Sequence, residues 1–159
     1  PLALGTDAVV SGSVNLFEEL RWAREYCRNS LQGKITDREL VDMVTLNPSR
    51  MFRIEKTHGS IEAGKLANFL VFSDHRQSPL ESFFELTPKD FSMLIHRGAL
   101  VYGDERFRSV CSMKFDHFSE VLVDGSPKII WGKPAQLLER IEHKLGEPCR
   151  LPFLPLVEV

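Results

Sequence analysis

Between residues 16 and 28 the apolar positions Leu16, Leu20, Ala23 and Cys27 recur four, three and four residues apart, while Glu18, Arg21, Glu25 and Arg28 fall between them. That period puts the first set on one face of a helix and predicts an amphipathic helix from Asn15 to Arg28, begun near Ser13 or Asn15. Trp22 and Phe17 fall at core or near-core positions of that helix. Gly33 ends the pattern, and Thr36-Asp37-Arg38-Glu39 then reads as a capping box, with Thr36 accepting from the Glu39 amide while Glu39 reaches back. A second helix is expected from Asp37 to about Leu46. Asn47-Pro48 interrupts it and starts a short third helix to about Phe52, because proline disfavours helical geometry in the residue before it yet suits a first turn.

After residue 58 the pattern changes. Gly59-Ser60-Ile61-Glu62-Ala63-Gly64-Lys65 suits a tight turn and leads into Leu66-Ala67-Asn68-Phe69-Leu70-Val71-Phe72, a strand by composition. Ser92 to His96 and Ala99 to Tyr102 flank Arg97-Gly98 as a hairpin whose glycine sits where positive φ is needed. A second hairpin is expected from Glu120 to Trp131, turning at Asp124-Gly125-Ser126-Pro127. Pro134 opens a helix with Leu137, Leu138, Ile141 and Leu145 on one face, and Gly146 stops it. The proline-rich tail from Glu147 to Val159 is expected to be extended, either as an arm reaching a partner or as a local cover strand.

At the other end, Leu4-Gly5-Thr6-Asp7 places a carboxylate after a short apolar run. A polar residue at the C-terminal mouth of a buried strand is where α/β barrels keep their chemistry, although an aspartate there is also a common turn or cap residue. A complete (β/α)₈ barrel takes roughly 200 residues or more, and this chain has 159.

Composition narrows the classes. Apolar residues make up 43% and charged residues 26%, with a net charge of -2 spread along the chain, so no basic field favours nucleic acid. Cys27, Cys111 and Cys149 are odd in number and far apart, which suggests neither a disulfide scaffold nor a zinc knuckle and points to a reducing, cytoplasmic setting. No run approaches the ~20 apolar residues of a membrane span, and no signal peptide opens the chain. The first residue is not methionine, which suggests that Pro1 is internal to a longer polypeptide. Neither nucleic acid nor a membrane is an expected partner.

Up to about Phe107 the chain resembles the C-terminal part of the amidohydrolase superfamily, the metal-dependent hydrolases and deaminases built on a distorted (β/α)₈ barrel. Leu2-Ala3-Leu4-Gly5-Thr6-Asp7 is similar to that family's eighth barrel strand ending in its catalytic aspartate. Asn15-Leu16-Phe17-Glu18-Glu19-Leu20-Arg21 is similar to the following helix in the guanine-deaminase and chlorohydrolase branch. Val44-Thr45-Leu46-Asn47-Pro48-Ser49-Arg50 resembles its T-x-N-P-A segment. The run from Gly59 to Val71 resembles its G-S-I-x-x-G-K-x-A-D-L-V-V strand, with Asn68 in place of the usual aspartate. Ile95 to Tyr102 resembles the closing hairpin of its small β-sandwich, and nothing beyond Phe107 adds to the likeness. The family's His-x-His and its ligands on strands four to six would lie upstream of Pro1.

The resemblance implies an α/β fragment in three parts. Residues 1–56 would hold the last strand and terminal helices of the barrel, residues 57–107 the C-terminal part of the β-sandwich, and residues 108–159 an added hairpin, helix and extended tail. It also implies hydrolysis of a C–N bond (amide, amidine or exocyclic amine) in a small cyclic substrate, with a divalent metal, zinc or iron, activating water in the intact parent. A bound metal brings the pKa of its water to ~7. Asp7 would then be both the catalytic residue and a metal ligand, and Ser11 in the loop after it a substrate contact.

One carboxylate is too few ligands for a metal, and His58, His75, His96, His117 and His143 form no His-x-His or His-x-x-x-His pair. The chain by itself is therefore expected to bind no metal and to be inactive. Lys65 lacks the frame of a phosphate loop and reads as a turn lysine. The alternative is a non-catalytic binding or assembly module that keeps the barrel tail and small β domain. Exposed strand edges at Leu2 to Leu4 and Phe69 to Phe72 would favour self-association or a homo-oligomer.

Overall fold

A computed structural model describes residues 1–8, 12–74, 78–110, 117–149 and 156–158, with Val110 and residues 156–158 described by their backbone alone. The chain divides into two compact units. The first comprises Pro1–Leu66 with Asp74–Leu86, and the second Ala67–Ser73 with Thr87–Val159.

The first unit is helical. α1 (Leu16–Ser30) begins at Asn15, whose side chain accepts from the Glu18 amide at 2.9 Å, so Asn15 rather than Ser13 is its cap. α2 (Asp37–Asp42) carries the capping box expected from its sequence. Thr36 Oγ1 accepts from the Glu39 amide at 3.2 Å, and the Thr36 amide donates to the Glu39 carboxylate at 2.8 Å. That backbone hydrogen bond, with help from the Thr36 hydroxyl, holds the Glu39 carboxyl below its usual pKa.

The break after α2 comes earlier than the proline suggests. α3 (Leu46–Met51) starts at Leu46 and runs through Asn47-Pro48, and the departure from helical backbone falls at Thr45, with φ -128° and ψ -83°. Pro48 is the third residue of α3, inside the first turn, where an N–H has no intrahelical acceptor and none is lost. α4 (Pro79–Glu85) has no counterpart in the sequence reading. Its start is nevertheless conventional: Ser78 Oγ accepts from the Glu81 amide at 3.2 Å, and proline opens the first turn.

Leu20 and Cys27 of α1, Leu40 of α2, Met43 and Phe84 of α4 form the core of this unit, with Leu4, Ala23 and Phe83 packed around them. Phe17 meets the Phe83 ring at 5.4 Å. Trp22, in contrast, is 64% exposed, and Tyr26 one turn on is 60% exposed, so Trp22 is no core residue. The buried spine of α1 runs through Leu20 and Cys27, and Trp22 lies two positions, about 200° around the helix, from Leu20.

Residues 1–8 take no strand, which corrects the strand expected over Leu2 to Thr6. A strand exists by pairing, and the described residues of this unit offer no neighbouring strand.

The second unit is one six-stranded antiparallel sheet in the order β1-β2-β3-β5-β4-β6. Its strands are β1 (Phe69–Phe72), β2 (Phe91–His96), β3 (Ala99–Asp104), β4 (Phe118–Val123), β5 (Ser126–Trp131) and β6 (Leu156–Glu158). Both tight turns use two successive left-handed residues, Arg97-Gly98 and Asp124-Gly125, the geometry that matches strand twist. The second turn ends at Gly125, and Ser126-Pro127 already belongs to β5. β6 pairs with β4, Val121 opposite Glu158, so this part of the tail is a strand of the chain's own sheet. α5 (Pro134–Leu145) is closed by Gly146 at φ 77° and buries none of its residues.

Leu100, Phe118 and Ile129 form one apolar cluster of the sheet, and Tyr102, Val121 and Val123 a second. Lys128 on β5 is 3% exposed; its Nζ donates to Asp104 at 2.5 Å and to the Phe91 carbonyl at 2.9 Å, which compensates an otherwise costly buried charge. The Tyr102 hydroxyl donates to the Pro88 carbonyl at 2.8 Å. Burial first, then the carboxylates of Asp104, Asp124 and Asp90, raises the pKa of this phenol far above its usual value.

Phe84→Ala is expected to destabilise the first unit by about 3–5 kcal/mol, the usual result of removing a fully buried ring, read as a lowered urea midpoint of the helical signal. Tyr102 supplies a pH test. A phenol whose folded pKa lies above the unfolded ~10 contributes in full below that value and loses the contribution as pH rises through the folded one. Wild-type stability should therefore fall more steeply above pH ~10 than that of Tyr102→Phe, as measured by denaturation at a series of pH values.

Candidate functional site

The opening segment is positioned by the turn between α2 and α3. The Leu4 amide donates to the Met43 carbonyl at 3.0 Å, and Asn47 Nδ2 donates to the Leu2 carbonyl at 2.9 Å. The Asn-Pro pair therefore has two local jobs: Pro48 fits the first turn of α3, and Asn47 holds the opening segment, which takes no strand. Leu4 adds its side chain to the core of the unit.

At the end of this segment Asp7 is exposed and left-handed, with φ 52°, a conformation that aspartate tolerates better than most residues. The chain then returns close to itself. The Gly12 amide donates to the Ala8 carbonyl at 2.7 Å, and a Cβ at Gly12 would lie 1.7 Å from the Thr6 carbonyl oxygen. Only glycine allows that approach.

Two glutamates of α1 secure the far side of the loop. Ser13, which is buried, donates its hydroxyl to Glu19 at 2.8 Å, and the Val14 amide donates to Glu18 at 2.9 Å. Ser13 thus serves the loop without capping the helix. Ser11 lies outside the described residues, as do His75 and Cys111.

The glycine-rich run after α3 is equally constrained. Gly59, at φ 92°, sits where a Cβ would meet Ser49 Oγ at 2.2 Å, and the Ser49 hydroxyl donates to the Leu46 carbonyl at 2.7 Å. Lys65 Nζ donates to Ser60 at 2.5 Å and to Glu62 at 3.3 Å, which makes it the turn lysine its surroundings suggest. The Ser60 hydroxyl first, then Lys65, lowers the Glu62 pKa. In the second unit Asn68, at the position of the missing aspartate, accepts from the Arg97 amide at 2.7 Å through its Oδ1. An aspartate oxygen could do the same.

Among the described residues no three His, Cys, Asp or Glu side chains come together to hold a metal ion. His96, His117 and His143 are exposed, and His58 is half-buried with Nδ1 2.8 Å from the Thr57 hydroxyl. The divalent metal implied by the resemblance therefore has no fitting donor set among these residues: Asp7 is one exposed carboxylate. Among the described residues no helix is long and apolar enough to cross a membrane.

Comparison with known proteins adds two matches. The sequence model of the amidohydrolase family matches residues 1–101. An imidazolonepropionase of Christiangramia forsetii is 35% identical over 75 residues, a match that covers 45% of this chain and 16% of that protein. No solved structure matches the chain.

The close approach at Gly12 generates a test. Gly12→Ala should displace the Thr6 to Ala8 backbone and lower stability by about 1–3 kcal/mol, the range for overpacking a tight site. Gly5→Ala, where a Cβ would meet nothing within 4 Å, should be near neutral. Paired thermal melts compare them.

Proposed function

This chain belongs to the amidohydrolase family, and from that premise we propose that it is the C-terminal portion of a metal-dependent hydrolase acting on a C–N bond of a small cyclic substrate. The observation that carries the reading is the family match from residue 1 to residue 101. Its support is physical as well. Asn47 holds the Leu2 carbonyl through its side-chain amide, Pro48 fits the first turn of α3, and Gly59 leaves no room for a side chain against Ser49.

The similar protein is named for an imidazolonepropionate, a cyclic nitrogen compound. That name favours a ring or ring-substituent C–N bond (amide, amidine or exocyclic amine) as the target here. In the intact protein Leu2 to Asp7, which takes no strand here, would occupy the place of the last barrel strand once neighbouring strands are present, and the strands after residue 66 would form part of a small β-sandwich.

Asp7 is the residue we assign to catalysis and to contact with a divalent metal, zinc or iron, in the intact protein. The described residues do not complete a ligand set, so further ligands would have to come from elsewhere in a longer polypeptide. The 16% of the similar protein that the match covers is in keeping with this. The chain by itself would then turn over no substrate. We also propose a cytoplasmic location, and self-association favoured by the sheet edge at β1, since Leu2 to Leu4 offers no strand edge.

Two measurements test the reading. The intact mass of the natural gene product should correspond to about 400 residues, enough for a complete barrel and a small β domain. A product of the size of this chain alone would overturn the assignment. In that intact protein Asp7→Asn should lower kcat by at least ~10²-fold, the scale of removing a general acid-base group, with the circular dichroism spectrum unchanged. Wild-type turnover in the variant would remove Asp7 from the chemistry.

A further inference from the structure

The chain enters and leaves Asp7 under different restraints. On the entering side Leu2 and Leu4 are tied to the turn between α2 and α3. On the leaving side the restraint comes from α1. Gly12 lies against the Thr6 carbonyl, and its amide donates to the Ala8 carbonyl at 2.7 Å, so the residues before and after Asp7 both meet Gly12. Next to Gly12 is Ser13, 8% exposed, whose hydroxyl donates to Glu19 Oε2 at 2.8 Å. Glu19 in turn adjoins Leu20, which is 1% exposed in the core of the unit.

The start of α1 does not call on the Ser13–Glu19 pair. Asn15 caps the helix by accepting from the Glu18 amide, and Glu18 accepts from the Val14 amide at 2.9 Å. A buried hydroxyl needs an acceptor, and a carboxylate makes the stronger, charge-assisted bond. What this bond joins is the helix and the chain leaving Asp7.

Asp7 itself has φ 52°. A left-handed residue other than glycine persists where its surroundings hold it, and Gly12 supplies a contact on each side. Loss of the Ser13 bond loosens Gly12, and with it Thr6 and Ala8.

We infer that Glu19 is a positioning residue for Asp7, acting through Ser13 and Gly12 to fix the loop that carries Asp7 on a helix anchored in the core. This rests on the catalytic assignment of Asp7 made above. Glu19 acts here by accepting a hydrogen bond from a neutral hydroxyl, so an uncharged acceptor of the same shape should replace it.

The test compares Ser13→Ala, Glu19→Ala and Glu19→Gln in the intact protein. The glutamine amide oxygen can still accept from Ser13, and alanine cannot. Ser13→Ala and Glu19→Ala should each lower kcat about tenfold, within what a misplaced catalytic group can cost, with KM little changed because the interaction is realised in the transition state. Glu19→Gln should keep wild-type kcat. The double alanine variant should be no slower than either single one, as expected of residues that act as a unit. Hydrogen exchange of the peptide over residues 5–14 gives a second readout that does not depend on turnover, faster in both alanine variants and unchanged in Glu19→Gln.

Wild-type kcat in the alanine variants, with Asp7→Asn inactive, would overturn the inference and leave the catalytic reading standing. Wild-type turnover in Asp7→Asn would overturn both. Equal loss of kcat in Glu19→Gln and Glu19→Ala, or unaltered exchange in Ser13→Ala, would also overturn the inference. Should Glu19→Ala fail to fold, Ser13→Ala against Glu19→Gln carries the comparison.

Discussion

Residues 1–8 take no regular secondary structure and have no strand partner among the described residues of their unit, so their place depends on the backbone groups that the helical unit holds. Exposed peptide groups can be solvated, but a segment that also delivers Leu4 to a core must be anchored. Met43 and Asn47 provide the anchors, one through a carbonyl and one through a side-chain amide. The break in helical backbone at Thr45 is what makes both available, since it turns the chain between α2 and α3. Beyond these anchors lie the exposed, left-handed Asp7, the close approach of Thr6 to Gly12, and the hydrogen bonds that Glu18 and Glu19 accept from Val14 and Ser13.

The glycine-rich run obeys a comparable constraint. Gly59 is a glycine because Ser49 occupies the space a side chain would need, and Ser49 is small and buried at 3% exposure because Gly59 lies against it. In the sheet, the equivalent constraint is electrostatic. Lys128 is buried at a central strand and remains there because Asp104 and the Phe91 carbonyl take its charge and donors. Removing one partner of such a pair costs more than the pair contributes, since the survivor stays buried and unpaired.

These constraints frame Asp7, which is exposed and lies between backbone groups hydrogen-bonded at Leu2, Leu4 and Ala8. Contacts constrain residue type at Asn47, which holds the Leu2 carbonyl, and at Gly12 and Gly59, where a Cβ would collide with Thr6 and Ser49.

What the amino-acid order determined by itself was everything governed by near neighbours. The period of α1, the Thr36-Glu39 box, the Gly146 stop and the two hairpins with glycine at their turns all rest on interactions within about five residues, and they were legible. Asp7 was legible as a candidate only through its place in a motif, since its own surroundings are those of a turn. α4 is not legible in the sequence because seven residues span barely two turns and show no period, although Ser78-Pro79 marks its start. Only the tertiary structure decided that residues 1–8 take no strand, that the helix breaks at Thr45, that Trp22 faces outward, and that β5 lies between β3 and β4. Each of these depends on which distant group is present to pair with or to cover a residue, and no local pattern encodes that.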